Sequence, residues 1–176
     1  MPITFYTTTS LPSPPARAVE IIIKILKLNV EKRYIDLIAK EHLEPWYLEL
    51  NPTHQVPLIN DNGYVLSDSH AIIVYLLTTY ASKDILEQYY PTDPKVRGII
   101  DSRWHFENGT LFARVKSILV SFHAHFITGK MKHHFYTWNF SNLEYLAAGR
   151  LTVADISTIT TMDLVEVSNI QEIYDK

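Results

Sequence analysis

Residues 55–69 read Q-V-P-L-I-N-D-N-G-Y-V-L-S-D-S, and the reading of this stretch decides the fold. Pro57 has no backbone N–H, which confines it to the first position of a strand or to a sheet edge. The pattern predicts a strand opened by Val56-Pro57, a tight turn at Asp61-Asn62-Gly63, and a second strand. Asn-Gly between two short apolar runs is a strong hairpin signal. X-Pro is also the common route to a cis peptide. A cis bond here would turn the Val56 backbone outward, with its N–H and C=O open to a ligand. Ser67-Asp68-Ser69 precedes the helical pattern of Ala71, Ile72, Tyr75 and Leu76. Hydroxyls, a carboxylate and free N–H groups then meet at one helix N-terminus. Anchored backbone, hairpin and polar helix start together imply a small polar ligand held against a sheet edge.

Upstream, residues 3–8 (I-T-F-Y-T-T) are β-branched and aromatic and predict a strand. Ser13-Pro14-Pro15 starts a helix, with serine as N-cap and proline in the first turn. Val19, Ile22, Ile23 and Leu26 follow at helical spacing, and Asn29 is the expected end. Lys32 to Leu37 predicts a second strand, completing a right-handed βαβ unit. Lys40 to Leu50 reads as an irregular helix, and a helix from about Ser69 to Tyr80 closes a β-α-β-α-β-β-α domain over residues 1–80.

Residues 81–93 read as a linker. Asp93-Pro94 starts a long helix carrying Val96, Ile99, Ile100, Trp104, Leu111, Phe112, Val115 and Leu119, so residues 94–176 are expected to be all-helical. Thr152-Val153-Ala154-Asp155 is a capping box, flanked by Leu151 and Ile156 as a hydrophobic staple, for a helix from Thr152 to about Val167. A 176-residue chain that is 47% hydrophobic can bury a real core in one large or two small domains. A net charge of −3 with scattered basic residues gives no footprint for nucleic acid or an anionic membrane. No cysteine is present, which excludes disulfides, thiolate metal sites and a cysteine nucleophile. Neither a signal peptide nor a membrane span is predicted, and a cytoplasmic home fits. His123, His125, His133 and His134 lack the one-face spacing of metal ligands and read as solvated surface, so no metal is expected. Phe135, Tyr136, Trp138 and Phe140 read as packing.

Seven motifs carry a resemblance: S-P-P-A-R-A-V (13–19), E-H-L-E-P (41–45), L-N-P-T-H-Q-V-P-L (50–58), D-N-G (61–63), S-D-S-H-A-I (67–72), L-F-A-R (111–114) and L-T-V-A-D-I-S (151–157). In this order and spacing the chain resembles the cytosolic glutathione transferases, in particular the insect delta and epsilon classes. The resemblance implies a thioredoxin-like N-terminal domain followed by a shortened α-helical domain. It implies conjugation of the glutathione thiol to hydrophobic electrophiles in detoxification, by a cytoplasmic homodimer.

On that resemblance Ser13 is the catalytic hydroxyl that stabilises the thiolate, with Ser10 a weaker competitor after the unusual Leu11-Pro12 lead-in. His42 and His54 match contacts to the glycyl end of glutathione. Val56, before Pro57, matches the backbone partner of the cysteinyl part. Asp68 and Ser69 match the pair that grips the γ-glutamyl end, with Asp where the family usually has Glu. Phe112, Val115 and Lys116 match positions facing the electrophile pocket, and Asp101 and Arg103 lie on the helix that faces a partner subunit. The chain departs from the pattern between Lys116 and Leu151, where Gly129 to Asn142 reads poorly as a helix, and after Val167. The expectation is a retained thiol site with weak or absent conjugation. The alternatives are a non-catalytic glutathione- or apolar-ligand-binding protein, or an inactive truncated product.

Overall fold

The computed structural model describes residues 2–9, 13–117 and 144–167, the last four by backbone alone. The expectations for Ser10, Leu11-Pro12, Leu119, the four histidines at 123–134, the segment 129–142 with its aromatic run, and residues 168–176 lie outside the described residues. The chain divides into two compact units, Met1–Tyr90 and Pro91–Lys176.

The first unit follows the predicted order: β1 (Ile3–Thr7), α1 (Pro14–Ile25), β2 (Val30–Tyr34), a 3-10 turn (Glu41–Leu43), α2 (Pro45–Leu50), β3 (Leu58–Asp61), β4 (Tyr64–Ser67) and α3 (Ser69–Tyr80). The strands lie in the order β2-β1-β3-β4. β1 is parallel to β2 and antiparallel to β3, and β3 is antiparallel to β4. This is the thioredoxin-like arrangement. α1 and α3 pack on each other, burying Val19, Ile22 and Ile23 with Ile72, Ile73, Leu76 and Leu77. Each such side chain contributes about 1.5–3 kcal/mol relative to exposure. Tyr6, Ile35, Tyr47 and Leu58 form a separate cluster that α2 covers, with Trp46, Leu50, Val56 and Val65 at its margin.

Three elements depart from the expected bounds. α1 ends at Ile25, four residues before Asn29, because Lys27 takes a left-handed conformation (φ 52°). The Leu28 amide then reaches back to the Ile23 carbonyl (3.1 Å) and the Lys27 amide to that of Lys24 (3.1 Å). This is a Schellman stop without its usual glycine. β2 runs from Val30 to Tyr34, not from Lys32 to Leu37. Asp36 ends it by accepting from the Ile38 and Ala39 amides at 2.9 and 3.0 Å. As the edge strand, β2 leaves Glu31 to Tyr34 exposed, so it carries no apolar alternation. The stretch 81–93, read as a linker, holds α4 (Lys83–Tyr89), capped by Ser82.

The hairpin turn takes positive φ at Asn62 (52°) and Gly63 (95°), as Asn-Gly predicts. Asp61 does more than turn the chain. Its buried carboxylate accepts from the hydroxyls of Tyr75 (2.7 Å) and Tyr80 and from the Asn62 side chain (2.8 Å), tying the hairpin to α3. The Tyr80 hydroxyl, then that of Tyr75, holds the Asp61 carboxyl below its ordinary value. Both phenols are pushed up by the same carboxylate.

The second unit contains α5 (Pro94–Phe106), which widens into π-helical turns over Glu107–Phe112, and α6 (Val153–Val167). α5 and α6 pack together. The Trp104 indole donates to the Val153 carbonyl (3.1 Å) and to Ser157 Oγ (3.0 Å), and Thr161 Oγ1 donates to the buried Glu107. The capping box closes through its acid: Asp155 Oδ2 accepts from the Thr152 amide (2.9 Å) and hydroxyl (2.8 Å). Asp155 Oδ1 takes the Leu146 amide (2.7 Å). The expected staple is incomplete. Ile156 is buried but Leu151 is 42% exposed, because the loop turns toward Leu146 and away from the helix.

Lys27→Gly should raise stability by about 0.5–1 kcal/mol, the left-handed penalty less the extra unfolded-state entropy of glycine; thermal melts check this. Asp61→Asn should cost about 1–2 kcal/mol at pH 7. Because its folded pKa is depressed, the Asp61 contribution is complete above the unfolded value of about 3.9 and is lost as pH falls through the lower folded value. The deficit of the variant should therefore shrink at pH 3, as urea melts at the two pH values would report.

Candidate functional site

The site is assembled by strand register. Tyr6 pairs with Leu58, and Leu58 with Ser67. The end of β1, the start of β3 and the end of β4 therefore meet at one edge of the sheet. The segments that leave this edge carry Ser13 after β1, Val56-Pro57 before β3, and Asp68-Ser69 after β4. Thr7 pairs with Tyr34, so the chain after β2, with His42, departs from the same edge.

Ser13 is the N-cap of α1, with the two prolines of the first turn fixing the helical φ behind it. Its Oγ accepts from the Ala16 amide at 3.4 Å, a long capping contact that leaves the hydroxyl proton to point elsewhere. The first turn of α1 has no acidic residue, so the positive end of the helix dipole at Ser13 is uncompensated.

The Val56-Pro57 peptide is cis, as the sequence suggests. The loop before it is wound around Asn51, which is buried. Asn51 Oδ1 accepts from the Thr53 amide (3.2 Å) and hydroxyl (2.7 Å), and its carbonyl takes the His54 amide (2.8 Å). Asn51 Nδ2 (2.9 Å) and the Tyr47 hydroxyl (2.7 Å) both donate to the Gln55 carbonyl. Burial pushes the Tyr47 phenol up to about 12, so it stays a donor at neutral pH. His54 is exposed and holds a positive φ (49°). Its ring lies 6.1 Å from that of His42. His42 Nδ1 is buried without a hydrogen-bond partner among the described residues.

Asp68 is the N-cap of α3 with φ 73°, an uncommon conformation for a residue with a side chain. Its Oδ1 accepts from the His70 and Ala71 amides, both at 3.0 Å. Two of the N–H groups that the sequence offers to a ligand are thus taken by Asp68 itself. The amide and hydroxyl of half-buried Ser69 are not part of that cap.

In the second unit Phe112 is half-buried at the end of the π-helical turns, Val115 is buried, and Lys116 is exposed. Arg103 Nε donates to the Leu146 carbonyl at 3.3 Å within the same unit. No group of three or more histidine, aspartate or glutamate side chains able to hold a metal ion occurs among the described residues. Sequence reasoning missed Tyr47 and Asn51. In P-W-Y-L-E-L the tyrosine reads as a core aromatic, and nothing local signals where its hydroxyl goes.

Comparison with known proteins places the chain in a family. Residues 9–84 match the family model of the glutathione S-transferase N-terminal domain. The chain is 36% identical to glutathione S-transferase 1 of Manduca sexta, over 93% of this chain and 80% of that protein. Among solved structures it superposes on glutathione transferase E6 of Drosophila melanogaster with a TM-score of 0.78 and 36% identity, covering 93% of this chain and 77% of that one. A Drosophila mojavensis glutathione transferase homolog, solved with bound glutathione, superposes with a TM-score of 0.73 at 28% identity, over 94% of this chain and 78% of that chain. With the thioredoxin-like sheet, the cis Val56-Pro57 bond and the helical second unit, these likenesses establish that the chain belongs to the glutathione S-transferase family.

Proposed function

We propose that this chain conjugates glutathione to hydrophobic electrophiles, with residues 1–80 holding the tripeptide and residues 94–176 facing the acceptor. The observation that carries the reading is the meeting of Ser13, Val56-Pro57 and Asp68-Ser69 at one sheet edge through the β1–β3–β4 register.

The chemistry follows from the groups. A free thiol with a pKa near 8.5 is only a few per cent ionised at pH 7. Ser13 donates its hydroxyl proton in a hydrogen bond to the sulfur, and the N-terminus of α1 adds a favourable dipole. The thiol proton passes to solvent. The thiolate sulfur then attacks the electrophilic carbon, a carbon–sulfur bond forms, and the leaving group departs with its electron pair. Val56 offers its backbone to the cysteinyl part. His42 and His54, whose rings lie 6.1 Å apart, hold the glycyl end. Asp68 Oδ2 meets the γ-glutamyl ammonium and Ser69 its carboxylate.

Phe112, Val115 and Lys116 belong to the acceptor side of this reading, with buried Val115 shaping the helix surface from within. The reading includes a cytoplasmic homodimer with the α5 face around Asp101 toward the partner, and it rests there on family membership. The chemistry it serves is detoxification.

Ser13→Ala should lower turnover of an activated aryl chloride by about 10- to 100-fold, the loss of one charge-assisted hydrogen bond, while glutathione still binds. Ser10→Ala should leave turnover unchanged. Calorimetry with glutathione and single-turnover rates check both. Binding without turnover in the parent protein would instead assign it as a non-catalytic glutathione carrier, and absence of binding would mark an inactive product.

A further inference from the structure

The Tyr47 hydroxyl is a buried polar group that the proposed chemistry does not use. Its ring is fully buried and lies edge-on to Tyr6 (6.1 Å between centroids) and Trp46 (5.4 Å). The Arg33 guanidinium covers the Trp46 ring at 4.2 Å and reaches Tyr6 at 5.8 Å, which closes the cluster from the β2 side. The one direction left to the phenol is toward the loop, where it meets the Gln55 carbonyl at 2.7 Å.

That carbonyl also takes Asn51 Nδ2 at 2.9 Å, so both of its lone pairs are filled from the interior. The carbonyl of Gln55 and the N–H of Val56 belong to the same planar trans peptide and point in opposite directions. Fixing the oxygen with two donors therefore fixes the direction of the Val56 N–H, away from the core. Asn51 alone leaves one lone pair of this carbonyl unfilled, so a single donor constrains the peptide plane less than two.

We propose that Tyr47 is a positioning residue for glutathione: its hydroxyl clamps the Gln55 carbonyl so that the Val56 N–H is aimed at the tripeptide before it arrives. Preorganisation of this kind acts on binding and leaves the chemical step alone. The inference rests on Val56 being the backbone partner of glutathione.

Tyr47→Phe removes only the hydroxyl, and Asn51 still satisfies the carbonyl, so the variant folds. The control is Tyr75→Phe, which removes the half-buried α3 phenol that bonds Asp61 at the hairpin of the same unit. The expected result is a 3- to 10-fold rise in the Kd and KM for glutathione in Tyr47→Phe, about the worth of one hydrogen bond. Its kcat at saturating glutathione and the pH profile of kcat should match the parent, and Tyr75→Phe should bind normally. Amide hydrogen exchange at Val56 should speed up in Tyr47→Phe and not in Tyr75→Phe. Parent-like glutathione affinity in Tyr47→Phe, or an equal loss in Tyr75→Phe, overturns the positioning role while leaving the glutathione site standing. A parent protein that binds no glutathione overturns the functional reading, and this inference with it.

Discussion

The antiparallel pairing of β1 with β3 is the constraint on which the first unit depends. Without it, Ser13 and Val56 would belong to unrelated loops. With Tyr6 opposite Leu58, and Leu58 opposite Ser67, the chain segments at Ser13, Val56 and Asp68 meet at one edge of the sheet. The parallel β1–β2 pairing carries the chain with His42 to the same edge. The helices do not create this convergence. They stabilise it, through the α1–α3 pack of Val19, Ile22, Ile23, Ile72, Ile73, Leu76 and Leu77. β3 is buried on both faces, with Leu58 and Ile59 both fully buried, so a slip of one residue would exchange the faces on which these two side chains pack.

Within each unit, buried or half-buried polar side chains hold the chain in place. Asp61 fixes the hairpin to α3 through two phenols. Asn51 and Tyr47 fix the segment before Pro57. Asp155 fixes the approach to α6, and Trp104 joins α5 to α6 with a hydrogen bond made inside the unit. Each of these bonds is worth only about 1 kcal/mol net, yet leaving its partner unsatisfied costs more. Their consequence is specificity of backbone position. A hydrophobic contact tolerates an ångström of sliding, whereas a 2.7 Å hydrogen bond to one carbonyl does not.

What was legible in the sequence was whatever a local residue dictates. Asn62-Gly63 demands positive φ and so forces the hairpin. Ser13-Pro14-Pro15, Asp93-Pro94 and Thr152 to Asp155 are start signals whose mechanism spans three or four residues, and all three helices begin there. The end of α1 was not legible, because a lysine occupies the left-handed position that glycine usually announces. β2 was misplaced because an exposed edge strand carries no burial period. The site residues came from motif order, which points to Ser13, Val56 and Asp68 but not to the groups behind them. The partner of Tyr47 lies eight residues on and those of Asp61 14 and 19, all fixed by the fold and not by spacing.

The two helices that start at the candidate site, α1 and α3, treat their N-termini in opposite ways, and the difference suits the proposed ligand. α1 starts with a neutral serine and no acid in its first turn, so its partial positive charge is available to an anion. α3 starts with Asp68, whose carboxylate already satisfies two amides and offsets the dipole. An isolated anion is favoured at the first terminus and disfavoured at the second. A zwitterion would suit the second, its ammonium toward the aspartate and its carboxylate toward Ser69. Glutathione carries both charge types at that separation of roles: a thiol to be ionised in the middle and an amino-acid zwitterion at the γ-glutamyl end. Asp68 closes the N-cap with Oδ1 alone, so on the proposed reading Oδ2 is the oxygen offered to the ammonium, on a shorter arm than the Glu the family usually carries. Asp68 makes this cap at a positive φ of 73°, uncommon for a residue with a side chain, so the charge division at α3 comes with a local conformational cost.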